Sequence, residues 1–403
     1  VIRPREVAPA ATPADRVREA LQAPLELDPG RVRGARTAAI AINDKTRPVP
    51  HRVLLPPLLA WLEEQGVPAA GITLIIATGT HEPMPESEYP SIVPQEVLDR
   101  FQVICHDARD TGELVEVDAT SRGNRVTINR RFVEADLRVV VGNIEPHQFM
   151  GFSGGAKSAC IGLAGYETIT RNHAQMNDPD AVIGTLTGNP VREEVEEMAD
   201  LVRVDLALNA VLNDHKELVR VFAGAPGAVM RAGVPAVLEL YEVSVPARFD
   251  LVITAPGGHP KDINLYQAQK ALAHAARVAA PGAPMVLVAA CPDGTGSAHY
   301  EEWVRGMESQ KEVLARFDRE PFQLGPHKAF QIARDSVDRR VQLVSEMSPE
   351  LVRELLLEPA STVDEALSRL VAELPPEPRV AVLPVANATI PSVAAAAEGR
   401  GTP

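Results

Sequence analysis

Hydrophobic positions in this chain gather into short, nearly continuous runs, separated by polar or glycine-rich stretches and by longer segments with helical spacing. Thr37-Ala-Ala-Ile-Ala-Ile-Asn43 and Leu137-Arg-Val-Val-Val-Gly142 read as buried strands, and Ile72-Thr-Leu-Ile-Ile-Ala77 and Gln102-Val-Ile-Cys105 as two more strands. Between the first two, residues 51–65 carry Leu54, Leu55, Leu58, Leu59, Trp61 and Leu62 on an apolar helix face, with Gly66 as the stop. A short helix is expected from Pro13 to Leu21, inside an irregular arm rich in Pro, Ala and Arg. From Asp118 to Asn129, polar and β-branched residues alternate, which predicts a hairpin at the edge of the sheet. Past Pro190 the pattern reads helix, strand 204–212, strand 218–222 and helix 225–241. After Pro246 the alternation begins again, with strands at 250–254, 284–290 and 341–345 and helices at 264–274, 308–316, 326–335 and 361–373. The expected fold is α/β with two domains, each a mainly parallel sheet flanked by helices and with the active site in the interdomain cleft. The expected domains are 1–245 and 246–378, and the last apolar stretch, 379–397, is expected to return to the first.

In such sheets ligands bind beyond the carboxyl ends of the strands, so the residues just past each apolar run are the candidates for chemistry. The first exit carries Asp44, Thr46 and Arg47, and the second carries His81. The strand ending at Gly142 leads into Glu145-Pro-His-Gln-Phe-Met-Gly-Phe-Ser-Gly-Gly-Ala-Lys157, which supplies His147, Ser153, Gly154, Gly155 and Lys157, and the helix after it supplies His173. Paired glycines let backbone N–H groups approach an anion, and Lys157 adds a cation or a nucleophilic amine. A Gly-Gly-x-Lys stretch is equally a common turn with a solvated lysine, and Asp44 and Thr46 equally suit helix caps. What distinguishes this set is three histidines at or near strand exits, beside a glycine turn and a lysine. Imidazoles titrate near pH ~6.5, so two facing one another could serve as base on one side of a substrate and acid on the other. Arg47 has the planar fork that holds a carboxylate in two parallel hydrogen bonds. His173 could ligate a metal, but with no HExxH or CxxC a cofactor must supply the remaining ligands. Gln267 and Lys270, three residues apart, share one helix face in the second domain. The other seven histidines, His51, His106, His215, His259, His274, His299 and His327, have contexts typical of surface or structural residues.

Five motifs carry a resemblance: Asp44-Lys-Thr-Arg-Pro48; Thr78-Gly-Thr-His81; His147 with Gly151-Phe-Ser-Gly-Gly-Ala-Lys157; Gly165-Tyr-Glu-Thr-Ile169 with His173; and Tyr266-Gln-Ala-Gln-Lys270. Each is weak alone, but in this order along residues 37–391 they resemble the nickel-pincer-dependent lactate racemase family. The resemblance implies a racemase or epimerase that inverts C2 of a 2-hydroxy acid, lactate or a related one. It implies a pyridinium-3,5-bisthiocarboxylic acid mononucleotide nickel cofactor, attached covalently at Lys157, with His173 as the protein's nickel ligand. His81 and His147 would alternate as acid and base while a hydride passes reversibly from C2 to the cofactor. Arg47, Gln267 and Lys270 would hold the substrate, and Asp44 would help to orient the site. Thr46, Ser153, Gly154 and Gly155 are further candidates for contacting the cofactor's phosphate. The implied partners are the small 2-hydroxy acid and the enzymes that make and deliver the cofactor. Two alternatives stay open: an epimerase of larger polyhydroxy (sugar) acids on the same cofactor, or a non-catalytic protein that binds the cofactor or a metabolite. Phe149, two residues beyond His147, either narrows the pocket or is ordinary core packing.

Composition narrows the remaining classes. A formal charge of −14 over 403 residues argues against nonspecific nucleic-acid or anionic-membrane binding, while a local Arg/Lys/His pocket still suits a small anion. Cys105, Cys160 and Cys291 are odd in number and form no CxxC, the usage of a reduced cytoplasm, where the protein is expected to work. No apolar run approaches the ~18 residues of a membrane span, and Val1-Ile-Arg-Pro-Arg5 does not read as a signal peptide. The absence of GxGxxG after the first strand argues against a conventional nicotinamide dehydrogenase.

Overall fold

A computed structural model of the chain describes residues 1–394. It divides into two compact units, one from Glu6 to Leu240 and the other combining Val1–Arg5 with the chain from Tyr241 onward. The unit from Glu6 to Leu240 is built on a six-stranded sheet. Its spatial order is Leu218–Gly224, Leu206–Leu212, Leu137–Asn143, Ala38–Asn43, Ile72–Ala77 and Gln102–Cys105. All neighbours run parallel except the first pair, which is antiparallel. The central strands are almost wholly buried, which is why they read as continuous apolar runs. Their register has a consequence for the site. Asn43 lies opposite Ala77 and Gly142 opposite Asn209, so neighbouring strands end side by side and their exit loops share one edge of the sheet.

The hairpin falls elsewhere than expected. Leu114–Ala119 and Arg125–Asn129 form a separate two-stranded sheet, while Gln102–Cys105 and Leu218–Gly224 occupy the edges of the main one. The hairpin's backbone groups are satisfied by the loop after Lys157: Asn129 N–H donates to the Leu163 carbonyl at 2.9 Å, and Gly165 N–H donates to the Thr127 carbonyl at 2.9 Å. It therefore braces that loop instead of extending the sheet.

The other unit has a five-stranded, fully parallel sheet in the order Glu358–Ala360, Val341–Val344, Met285–Val288, Leu251–Thr254, Val380–Leu383. The expected return of 379–397 to the first domain is therefore corrected. Val380–Leu383 pairs with Leu251–Thr254, and Ile390–Val393 pairs with Glu242–Val245, which the boundary between Leu240 and Tyr241, not at 245 as expected, assigns with Val1–Arg5 to this unit; residues 395–397 lie outside the described residues. The physical reason is local, since Arg379 N–H donates to the Asp250 carboxylate at 2.9 Å and sets the register with the strand that follows Asp250. Ile2 N–H then donates to the Val382 carbonyl at 2.8 Å, so the start of the chain caps the strand's outer edge. The helix expected at 264–274 is broken into Leu265–Ala268 and Lys270–Ala276, and the Asn264 side chain caps the first piece at the Gln267 N–H. No helix among the described residues is long and apolar enough to cross a membrane.

Candidate active site

The exit loops of the six-stranded sheet line one pocket. From the first comes Asp44, 4 % exposed, whose Oδ2 accepts from His81 Nδ1 at 2.7 Å. Its Oδ1 accepts from the Thr46 hydroxyl at 2.7 Å, and Arg47 Nη1 donates to that hydroxyl at 3.0 Å. Burial raises the Asp44 pKa, but the His81 hydrogen bond and charge, the Arg47 charge and the Thr46 hydroxyl outweigh it and leave the carboxyl below its ordinary value. A carboxylate only accepts, so Nδ1 of His81 carries a proton, and when the ring is neutral its lone pair is on Nε2. The His81 loop is pinned from behind: Gly79 N–H donates to the Gly162 carbonyl at 2.9 Å and the Thr78 hydroxyl to the His106 carbonyl at 2.7 Å.

After Leu137–Asn143 the chain makes a very short hairpin, Pro146–His147 against Gly151–Phe152, which turns it back toward the sheet. Gly151 is at φ +71, and a Cβ there would meet the Thr185 carbonyl oxygen at 1.8 Å, so only glycine fits. His147 stands in the opposite chemical situation to His81. Met150 N–H donates to its Nδ1 at 3.2 Å, which makes Nδ1 the acceptor and places the neutral ring's proton on Nε2. Next come Ser153, the glycine pair and Lys157, the first residue of the short helix Lys157–Cys160; Lys157 Nζ donates to Ser153 Oγ at 3.3 Å. Two of the turn's N–H groups are already engaged, Ser153 with the Glu145 carbonyl at 2.8 Å and Gly155 with Asn209 Oδ1 at 2.6 Å.

Support comes from beneath, along the helix Pro190–Val202. Its cap residue Asn189 donates to the Phe149 carbonyl at 2.9 Å, and the fully buried Arg192 donates to the Gly154 carbonyl at 3.0 Å and pairs with Glu196. Phe149, 4 % exposed, meets His147 and His173 edge-on, with ring centroids 4.6 and 5.1 Å apart, so it is a wedge between two site imidazoles. His173, on the helix Tyr166–Ala174, contacts Asn172 Oδ1 through Nδ1 at 3.2 Å.

Known proteins match the chain over most of its length. A family model described as the lactate racemase N-terminal domain matches residues 1–184, and one described as the lactate racemase C-terminal domain matches 245–390. The lactate racemase of Lactiplantibacillus plantarum is 32 % identical over 87 % of this chain and 84 % of its own length. The lactate racemase of Thermoanaerobacterium thermosaccharolyticum is 30 % identical over 83 % of this chain and 79 % of its own. The chain belongs to the lactate racemase family. The solved structure of the lactate racemase apoprotein from T. thermosaccharolyticum superimposes with a TM-score of 0.91, at 28 % identity over 97 % of this chain and 94 % of that one. A Thermotoga maritima protein shares the fold alone, at a TM-score of 0.70 and 15 % identity over 96 % of this chain and 100 % of that one. Membership makes this protein a racemase, an isomerase.

Of the residues expected at the site of this family member, the pocket brings together Asp44, Arg47, His81, His147, Ser153, Gly154, Lys157 and His173. Thr46 and Gly155 are not part of its lining: the Thr46 hydroxyl bridges Asp44 and Arg47, and the Gly155 N–H is held by Asn209. Gln267 and Lys270 lie in the other unit, where Lys270 Nζ donates to Gln267 Oε1 at 2.6 Å. Sequence reasoning missed Asn43, Asn143 and Ser158 in the lining, and Arg192, Glu194 and Asn209 behind it. One signal was available. Asn209 is the only polar side chain in the fully buried strand Leu206–Leu212, and a polar group kept there needs a partner to satisfy.

Proposed function

We propose that this protein racemises a 2-hydroxy acid, lactate or a close relative, on a nickel-pincer nucleotide tethered to Lys157 and ligated by His173. The observation that carries the reading is the presence in one pocket of His81, His147, Lys157 and His173, with the two candidate proton carriers held in opposite tautomers. The residues fit such a cofactor. Lys157 offers a primary amine, His173 offers one imidazole nitrogen, and Gly154 is a position where a Cβ would meet Ile144 Cγ1 at 2.8 Å and Asn209 Oδ1 at 3.0 Å, so the backbone there stays bare. Among the described residues no group of three or more His, Cys, Asp or Glu is placed to hold a metal ion, so the other ligands would be the cofactor's own. When bound, the group would supply a two-electron acceptor for the C2–H bond of the substrate.

The chain's own residues account for the proton. His81 Nε2 takes it from the 2-hydroxyl, and the Asp44 carboxylate on Nδ1 stabilises the imidazolium that results. His147 differs, because gaining a second proton means giving up the hydrogen bond from Met150 N–H. His81 is thus the ring built to accept first, and His147 becomes the acid only as an imidazolium, after a second proton on Nδ1 has displaced the Met150 N–H; it then gives up the Nε2 proton and stays neutral. Arg47, with Gln267 and Lys270, is assigned to the substrate's carboxylate and hydroxyl, where charge-assisted bonds give orientation as well as affinity.

Protein produced together with the cofactor-making enzymes should carry about one nickel per chain, with nickel lost in Lys157→Ala and in His173→Ala. His81→Ala should retain nickel and lose racemisation by about 10²- to 10⁴-fold, measured by chiral chromatography from each lactate enantiomer and from a panel of larger 2-hydroxy acids. Nickel-loaded His81→Ala racemising at the native rate would sink the assignment.

A further inference from the structure

We infer, on the basis of the function proposed above, that Glu194 is a positioning residue for the metal ligand: through Asn172 it holds His173 in the tautomer whose Nε2 is the ligating nitrogen. Glu194 lies in the helix Pro190–Val202, is 1 % exposed, and is not among the residues that line the pocket. Its carboxylate collects four neutral donors: the Thr120 hydroxyl at 2.9 Å, and the side-chain amides of Asn124 at 3.3 Å, Asn172 at 2.9 Å and Gln175 at 2.7 Å. The three amides converge on Oε2 and only the Thr120 hydroxyl reaches Oε1, so a glutamine could keep its carbonyl on the amides and offer its NH₂ to Thr120, whereas a leucine of similar size would leave all three amide donors unmet.

The consequence passes to Asn172, which is fully buried. Its Nδ2 donates to Glu194 and to the Val191 carbonyl at 3.1 Å, two groups that only accept, so the amide cannot be turned over. Its Oδ1 is thereby fixed on His173 Nδ1 at 3.2 Å. An amide oxygen only accepts, so Nδ1 holds the proton and the lone pair is on Nε2. Outer partners of this kind orient a ligating imidazole and raise its basicity, and losing one usually costs about 10- to 100-fold in metal affinity. A buried carboxylate with no cation among its four hydrogen-bond donors is expensive to keep, which argues for a task beyond filling space.

The tautomer can be read without the cofactor. Long-range ¹H–¹⁵N spectra of cofactor-free protein labelled at histidine, taken where the imidazole is neutral, should show His173 protonated at Nδ1 and bare at Nε2. In Glu194→Leu the ring should shift toward the Nε2–H form or a mixture. In nickel-loaded protein the same variant should release nickel to a chelator about 10- to 100-fold faster than native. Should Glu194→Leu fail to fold, Asn172→Ser keeps Glu194 with its three other donors, cuts the link, and should show the same two changes. His173 protonated at Nε2 in the native protein overturns the inference, and so do an unchanged tautomer and release rate in a folded variant. A native protein without nickel whose tautomer still responds to Glu194→Leu supports the positioning role and removes the metal reading it was to serve.

Discussion

Each unit has a pair of glycines beyond a parallel strand and a histidine nearby, Gly154-Gly155 with His147 and Gly257-Gly258 with His259, and of these Gly154 and His147 line the pocket of the six-stranded sheet. The local backbone does not separate them, since all four glycines have positive φ, +98 and +59 in one pair and +108 and +73 in the other. The surroundings do. Gly154 and Gly155 are buried, and a Cβ on Gly155 would lie 2.6 Å from Arg192 Nη2 and 2.8 Å from Met230 Cγ. Gly257, Gly258 and His259 are exposed, and a Cβ on Gly258 would meet nothing within 4 Å. Two adjacent glycines make a flexible turn anywhere. They become part of a site where buried polar side chains take up the turn's N–H and carbonyl groups, as Asn209 does for Gly155 and Arg192 for Gly154.

The sharpest way to break this comparison is Gly155→Ala. Positive φ costs about 1–2 kcal/mol for a non-glycine residue and overpacking about 1–3 kcal/mol, so the variant should lose about 4 kcal/mol by urea titration, together with racemisation. A loss no greater than that at Gly258 would dissolve the distinction. Acid should treat the two units alike. His51 in one and His274 in the other are fully buried, and burial pushes both down to about 4. Unfolding restores the ordinary value near 6.5, so between the two values the unfolded chain binds protons that the native chain does not. Stability is then full above pH ~6.5 and falls as the pH drops toward ~4, by up to about 3 kcal/mol per histidine. Urea midpoints flat across that range would contradict it. The smallest effect is expected from Gly258→Ala, about 1 kcal/mol from the strain of positive φ alone, with racemisation intact.

Much of this was legible before folding is considered. Strands buried on both faces need uninterrupted apolar runs, so Ala38–Asn43, Ile72–Ala77 and Leu137–Asn143 announce themselves, and the polar residues that end them, Asp44, His81 and His147 among them, become candidates by position. The supporting residues were not legible for an equally physical reason. Arg192 and Glu194 lie in a helix rich in glutamates, where charge ordinarily means solvent, and nothing local says that these two point inward. The same limit applies to Val380–Leu383: an apolar run demands a sheet without naming which sheet edge is vacant.

The amino-acid order by itself determined the central strands, most of the helices, and which reactive side chains stand beyond the strands of the first sheet, because those follow from periodicity, burial and turn chemistry within a few residues. Tertiary structure alone decided which tautomer each histidine holds, which N–H groups of the glycine turn remain for a ligand, and which sheet receives the last strands. Some of these depend on a partner tens of residues away in the chain, Asp44 for His81 or Asn209 for Gly155, and even the near ones, Met150 for His147 and Asn172 for His173, are set in place by the hairpin and the helix packing around them, so the partners exist only once the chain has folded.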